Sequence, residues 1–320
     1  MSIWKTYPDI SKSAWLEKVA ADLKGKNSED YYQRNPFGTQ IEPWYHREDT
    51  THDISIPGRT YDKIHLGCLV VTDDASMGSD YIIDNLAGGC SFLHIIDNTD
   101  DNLKSAAEGV HFEMITSVIE RNESTASQAF LTELSGDKKL DLLIIDQASF
   151  NYKIDLRGTE ENLLAEFIRQ ADEIAQQNEV SHVFCQVEFD HHYINSITSV
   201  LALRLIWANI CEAYGRSHDN CKLIIEGFIS SSIRTSEIHQ DLISITQVMT
   251  AMFSSDVDVI FPFTSKDDKE SRRLIRQAYH VLTMEGHLGK VKAPFQGSYA
   301  LEKIALDSAS QAWTDTIKAI

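Results

Sequence analysis

Along this chain, short apolar runs with β-branched residues alternate with longer stretches whose apolar positions recur at helical spacing. The runs at 64–71, 91–96, 110–116, 142–146, 150–155, 182–188, 223–228 and 257–261 predict strands. Helical patterns at 79–87, 103–107, 125–134, 159–178, 193–214, 236–253 and 269–283 follow most of them. In the clearest, Leu163, Leu164, Phe167, Ile168, Ala171, Ile174 and Ala175 fall on one stripe. Only the runs at 142–146 and 150–155 have no helix between them. Strand–helix alternation repeated about eight times, over a span near the ~250 residues typical of the fold, predicts a closed parallel (β/α)8 barrel of the TIM type. A doubly wound open sheet is the alternative. It calls for a Gly-rich phosphate turn after the first strand, and "VVTDDASMGS" has none.

The first sixty residues differ from the rest, with four of the six prolines and no strand pattern. "SAWLEKVAADLKG" predicts a short helix with Ser13 as N-cap, Trp15, Val19 and Leu23 on one face, and Gly25 past its end. "NPFGTQIEPWYHRED" reads as an extended aromatic segment. The organisation expected is an N-terminal arm over 1–60 that wraps a core or a neighbour, and a barrel over 61–320 that ends in an amphipathic helix after "VKAPFQGSYALE".

Composition narrows the function classes. With 320 residues and 42% hydrophobic content, the chain can bury a full core. The apolar runs at 66–71 and 142–145 are too short to cross a bilayer, so no membrane association is expected. The N-terminus lacks a basic segment followed by an apolar one, which points to a cytoplasmic protein. Cys68, Cys90, Cys185, Cys211 and Cys221 are odd in number and have no C-x-x-C spacing, as expected of reduced, buried thiols. A formal charge of −19 with no basic stripe excludes a phosphate backbone as partner, and nucleic acid with it.

The stretch "RRLIRQAYHVLTMEGHLGKVKAPFQGSYALEKIALDSASQAW" resembles the end of the barrel domain of the methylmalonyl-CoA mutase family. The matching residues are Arg276, Glu285, Leu288, Val291, Pro294, Gly297, Ser298, Tyr299, Glu302, Ala312 and Trp313. "WLEKVAADLKGK" with "FGTQIEPWY" is similar to the family's N-terminal arm, "LALRLIWANICEAYG" to its Arg-Ala-x-Arg-x-Leu-Trp-Ala helix, and "TQVMTAMFSSDVDVI" to the helix and strand that follow. The resemblance implies a (β/α)8 barrel. In catalytic members a separate domain carrying Asp-x-His-x-x-Gly binds adenosylcobalamin, and acyl-CoA threads the barrel axis while succinyl-CoA and methylmalonyl-CoA interconvert. Such radical chemistry requires a closed, water-poor cavity.

This sequence departs from that pattern in one direction. No Asp-x-His-x-x-Gly occurs, and the chain ends at Ile320 soon after the barrel is expected to close, so no cobalamin-binding domain is expected. Where catalytic members carry Tyr-His, "YKIDLRG" offers Tyr152 and Lys153, and a mobile ammonium cannot replace a neutral imidazole. Arg-Ala-x-Arg reads "LALR", keeping Arg204 but placing Leu201 at the first arginine, and Asn-x-x-Arg reads Gln240-x-x-Ile243. The segment "IPGRTYDKIHLG" is short and lacks the family's Tyr-bearing stretch.

Other constellations have plain alternatives. "EFDHHYIN" offers Glu188, Asp190, His191 and His192 beside a strand end, where a metal is conceivable, but adjacent histidines point apart and capping of the next helix is the simpler role. "ISSSIRTSE" offers Ser231 and Arg234 for a phosphate, against ordinary N-capping by Thr235 or Ser236. "VTDDAS" and "IIDNTDDN" read as solvated acidic loops rather than a cation site.

The resemblance and the losses together imply the small, catalytically silent subunit of a mutase-like heterodimer. No catalytic residue is expected on this chain, Tyr152 and Lys153 being degenerate positions, and Arg204, Ser231 and Arg234 are the candidate substrate contacts. No cofactor is expected here, adenosylcobalamin belonging to a larger partner chain reached through Trp4, Tyr7 and Trp44, with a homodimer as the assembly in isolation. The alternative is a barrel subunit that turns over acyl-CoA when a free-standing cobalamin protein docks on it. That alternative needs Tyr152, Lys153 or Arg204 to face an open axial cavity.

Overall fold

The computed structural model describes residues 10–50, 56–74, 77–98, 103–121, 130–134, 140–146, 149–159, 162–189, 192–229, 237–254, 256–262 and 269–319. Eight parallel strands form a nearly closed ring: β1 (His65–Val71), β2 (Phe92–Asp97), β3 (Thr116–Arg121), β4 (Asp141–Ile145), β5 (Asn151–Asp155), β6 (His182–Phe189), β7 (Lys222–Ile229) and β8 (Val259–Phe261). Their order round the ring is β4-β3-β2-β1-β8-β7-β6-β5, so β1 pairs with both β2 and β8. The architecture is that of a (β/α)8 TIM-type barrel. The seam lies between β4 and β5, the two strands with no helix between them. Asn151 Nδ2 donates to the Ile144 carbonyl at 2.8 Å across it. β5 therefore begins near the level where β4 ends, and the barrel's stagger spares the chain a full return crossover.

Alternation along each strand sorts the side chains into two cores. Leu66, Cys68, Val70, Leu93, Ile95, Ile119, Ile154, Val183 and Cys185 face the surrounding helices. Phe92, Val118, Ile145, Phe184, Ile224, Val259 and Phe261 form a second cluster inside the ring. The outer layer includes α2 (Ser79–Ala87), α3 (Leu103–Ala106), α4 (Leu163–Ala175), α5 (Tyr193–Ala213), α6 (Glu237–Ser254), α7 (Lys269–Met284) and α8 (Tyr299–Ala319). The α4 stripe packs inward as predicted, except that Ile174 is only partly buried. Helix α5 has the length and hydropathy of a membrane span, although Arg204 and scattered polar residues break it into short apolar runs. Yet 67% of that window is buried in the protein, so α5 packs as a core helix.

Three predicted elements need correction. The strand expected at 110–116 begins only at Thr116, opposite Phe92 and Asp141, and Phe112–Met114 is a 3-10 turn. Phe112 is buried there as a plug rather than as a strand residue. Helix α1 (Lys12–Asp22) is capped by Ser11, whose side chain accepts from Ala14 N, not by Ser13. The arm also holds a two-residue antiparallel pairing, Gln33–Arg34 with Gln40–Ile41, that its proline content hid. Helix 125–134 falls partly outside the described residues, with helical backbone over 130–134.

The arm is anchored on the last helix. Asn35 Nδ2 donates to Ser308 Oγ on α8 at 2.8 Å, while its Oδ1 accepts from Phe37 N and Thr39 N. Trp44 stacks on Trp15 at 4.4 Å, so this aromatic is engaged within the arm, and Trp4 and Tyr7 lie outside the described residues. The loop before α8 is fastened by Glu302, whose Oε1 accepts from Gly297 N at 2.6 Å. Gly297 sits at φ +89°, a backbone state that favours glycine. Helix α8 then packs against α4 and α5.

Candidate functional site

Each of five inward strand positions places a polar side chain in the barrel's interior: His94 on β2, Glu120 on β3, Lys153 on β5, Gln186 on β6 and Glu226 on β7. His94 Nδ1 donates to Glu226 Oε1 at 2.8 Å, and Gln186 Nε2 donates to Glu226 Oε2 at 2.8 Å. On the far side of the ring, Lys153 Nζ donates to Glu120 Oε1, and Glu120 Oε2 lies 3.7 Å from His94 Nε2. His94, Gln186 and Glu226 are fully buried, whereas Glu120 and Lys153 are each 23% exposed. The layer thus sets two carboxylates against an ammonium and an imidazole, while His94 Nε2, Glu120 Oε2 and Gln186 Oε1 make no hydrogen bond among the described residues.

Burial alone would push the His94 imidazole down, but Glu226 and Glu120 outweigh it and hold its pKa up at about 9. Burial likewise works against ionisation of Glu120, and the positive charges of His94 and Lys153 beside it overcome that, holding the carboxyl below its ordinary range. Aromatic rings pack round the layer. Phe184 and Phe261 each lie 6.4 Å from the His94 ring, and Phe228 stacks on Phe261 at 4.7 Å. Arg157, paired with Asp155, covers the other side of Phe228 at 4.6 Å. Toward the strands' N-terminal ends, Tyr61, His65 and Phe92 pack edge to face. Phe92, Phe184, Phe261 and the layer round His94 take up the middle of the interior, and Gly67, Leu69, Phe228 and Phe261 line a cavity at its C-terminal end.

Among the described residues, those singled out from the sequence do not converge. Lys153 faces inward, but Tyr152, its neighbour on the strand, faces outward and its hydroxyl lies 3.4 Å from the Glu179 carbonyl. Arg204 lies on α5 at the barrel's N-terminal end. It is buried, donating through Nε and Nη2 to the Asp256 carbonyl, through Nη1 to the Leu223 carbonyl, and through Nη2 to Asp258 Oδ2 at 2.7 Å. Arg204 is also part of the wall of a cavity of about 490 Å3 at that end, shared with Arg59, Trp207 and Lys292. Ser231 and Arg234 lie outside the described residues, as do Asp190 and His191. His192 occupies the N-cap position of α5 without a side-chain capping bond. Among the described residues, no three His, Cys, Asp or Glu side chains are placed to hold a metal ion. All five cysteines are buried free thiols, and burial pushes Cys90 and Cys211 up to about 12, far from reactive thiolates.

Next to Arg204, burial pushes the Asp256 carboxyl up to about 6 against the pull of Arg204 and Arg59. A raised carboxylate pKa means the unfolded chain ionises first, so stability falls as pH rises from about 4 to 6 and the deficit persists above. Asp256→Asn is expected to gain ~1–2 kcal/mol at pH 8 and nothing at pH 4 in urea melts. Equal effects at both pH values would contradict it.

No family model matches this sequence. It is 21% identical, over a 389-residue alignment, to the methylmalonyl-CoA mutase small subunit of Porphyromonas gingivalis, covering 97% of this chain and 63% of that protein. The chain therefore spans about three fifths of the length of that relative. Among solved structures, Rv1207 of Mycobacterium tuberculosis matches 73% of this chain and 98% of its own, at a TM-score of 0.31 and 10% identity. The chain is thus distantly similar to a protein of the mutase family.

Proposed function

We propose that this chain is a barrel subunit of the small-subunit kind, a catalytically silent scaffold for a larger cobalamin-binding chain. The observation that carries this proposal is the occupied axis. A mutase barrel must admit a thioester along its centre and shield a radical there. In this chain the middle of that space holds Phe92, Phe184 and Phe261 and the polar layer around His94. Acyl-CoA turnover with a docked cobalamin protein needs that space open, so it is the weaker reading.

Adenosylcobalamin does not fit the residues present. The sequence carries no Asp-x-His-x-x-Gly, and the buried His94 has a carboxylate beside each ring nitrogen, Glu226 at 2.8 Å and Glu120 at 3.7 Å. The heterodimer predicts that affinity capture of this chain from its source cells recovers a larger chain carrying Asp-x-His-x-x-Gly. Conversion of succinyl-CoA is expected from the pair only. Conversion by this chain alone, supplied with adenosylcobalamin, would overturn the proposal.

A further inference from the structure

A cavity of about 350 Å3 opens at the C-terminal side of the barrel, where β8 and β1 part. Their ladder ends with Ile260 opposite Leu66. The next inward position on β1 is Gly67, and a side chain there would collide with the Phe261 ring, since a Cβ would stand 2.5 Å from it. Glycine therefore keeps this gap shaped by Phe261, Phe228 and Leu69, all apolar.

Helices α2 and α7 form the polar side. Arg276 is 5% exposed, and its guanidinium reaches inward because Gly88 has no side chain to block it. Its Nη1 donates to Asn85 Oδ1 at 2.8 Å and its Nη2 lies 3.3 Å from Asp84 Oδ2, while its buried Nε–H has no hydrogen-bond partner among the described residues. A buried donor left unpaired is costly and calls for an explanation. Arg272, one turn earlier, holds its guanidinium 4.9 Å over the Tyr81 ring and lines the same cavity. Two guanidinium groups thus face one apolar hollow in a chain whose net charge is −19. Barrels of this type often place anion sites at the ends of their seventh and eighth strands, which is where Phe228 and Phe261 stand.

We propose that this cavity binds a small organic anion, a carboxylate or phosphate head on a compact apolar body. Guanidinium groups match either head by paired, charge-assisted hydrogen bonds, and a hollow of this size takes a ligand of about ten heavy atoms or somewhat more. The site stands at the C-terminal end of the barrel interior and needs no partner chain, so anion binding by the isolated chain is read separately from the scaffold role.

The test is thermal unfolding and calorimetry of the isolated chain with phenyl phosphate, benzoate, benzyl alcohol and inorganic phosphate. A dose-dependent rise in Tm is expected with phenyl phosphate or benzoate, the stronger of the two identifying the head group, and none with benzyl alcohol. Arg272→Met is expected to weaken binding about tenfold. Arg276→Lys, checked for folding by circular dichroism, is expected to weaken it as well. Equal binding by Arg272→Met, or no response to either aromatic anion, would overturn the site. Inorganic phosphate binding as tightly as phenyl phosphate would overturn the apolar body.

Discussion

Arg204→Met is expected to lower the free energy of unfolding by about 3–5 kcal/mol, the range for stranding one member of a buried ion pair. Asp258 is fully buried, and Arg204 is its charged partner at 2.7 Å. Asp258 also accepts from the backbone N–H groups of Thr60, Tyr61 and Ile225. The pair therefore ties α5, the start of β7, the approach to β8 and the segment leading into β1 into one knot. Removing the guanidinium leaves a buried charge and takes donors from the Asp256 and Leu223 carbonyls. Urea denaturation of Arg204→Met against wild type measures the loss, and adding Asp258→Asn is expected to restore part of it by removing the stranded charge. A loss below about 1 kcal/mol, the value of an exposed pair, would return Arg204 to the role of a ligand clamp.

Much of the barrel was legible because most of its strands are short, largely apolar runs and most of its helices carry one apolar stripe, α5, buried nearly all round, being the exception. One misread strand is instructive. "VHFEMIT" has the composition of a strand, but Phe112 is apolar because it closes a gap below the sheet, and the neighbours' register sets the true start at Thr116. The arm's pairing was hidden because two-residue strands carry no period. The interior layer was missed for another reason. His94, Gln186 and Glu226 match none of the motif positions that carry the family resemblance. A physical signal was present, since "FLHIID", "FCQVEF" and "LIIEGF" each embed a polar side chain in an apolar strand. Such a residue must find a partner across the barrel. Which one it finds depends on stagger, which the sequence does not print.

Glu226→Gln tests that layer, and its effect is expected to depend on pH. The His94 pKa stands at about 9 in the folded protein against 6.5 in the unfolded chain. Because it is raised, its stabilisation is fully present below pH 6.5 and is lost as pH climbs through 9. A glutamine keeps the shape of Glu226 but removes the stronger of the two attractions that hold the imidazolium in place. The variant is therefore expected to be less stable by on the order of 3 kcal/mol at pH 6, with the gap narrowing toward pH 10 as wild-type His94 becomes neutral. Urea melts at pH 6, 8 and 10 read the difference directly. Curves that stay parallel across that range would mean that His94 is neutral in the folded protein. The pairing round Glu226 would then be an ordinary hydrogen bond rather than a buried ion pair.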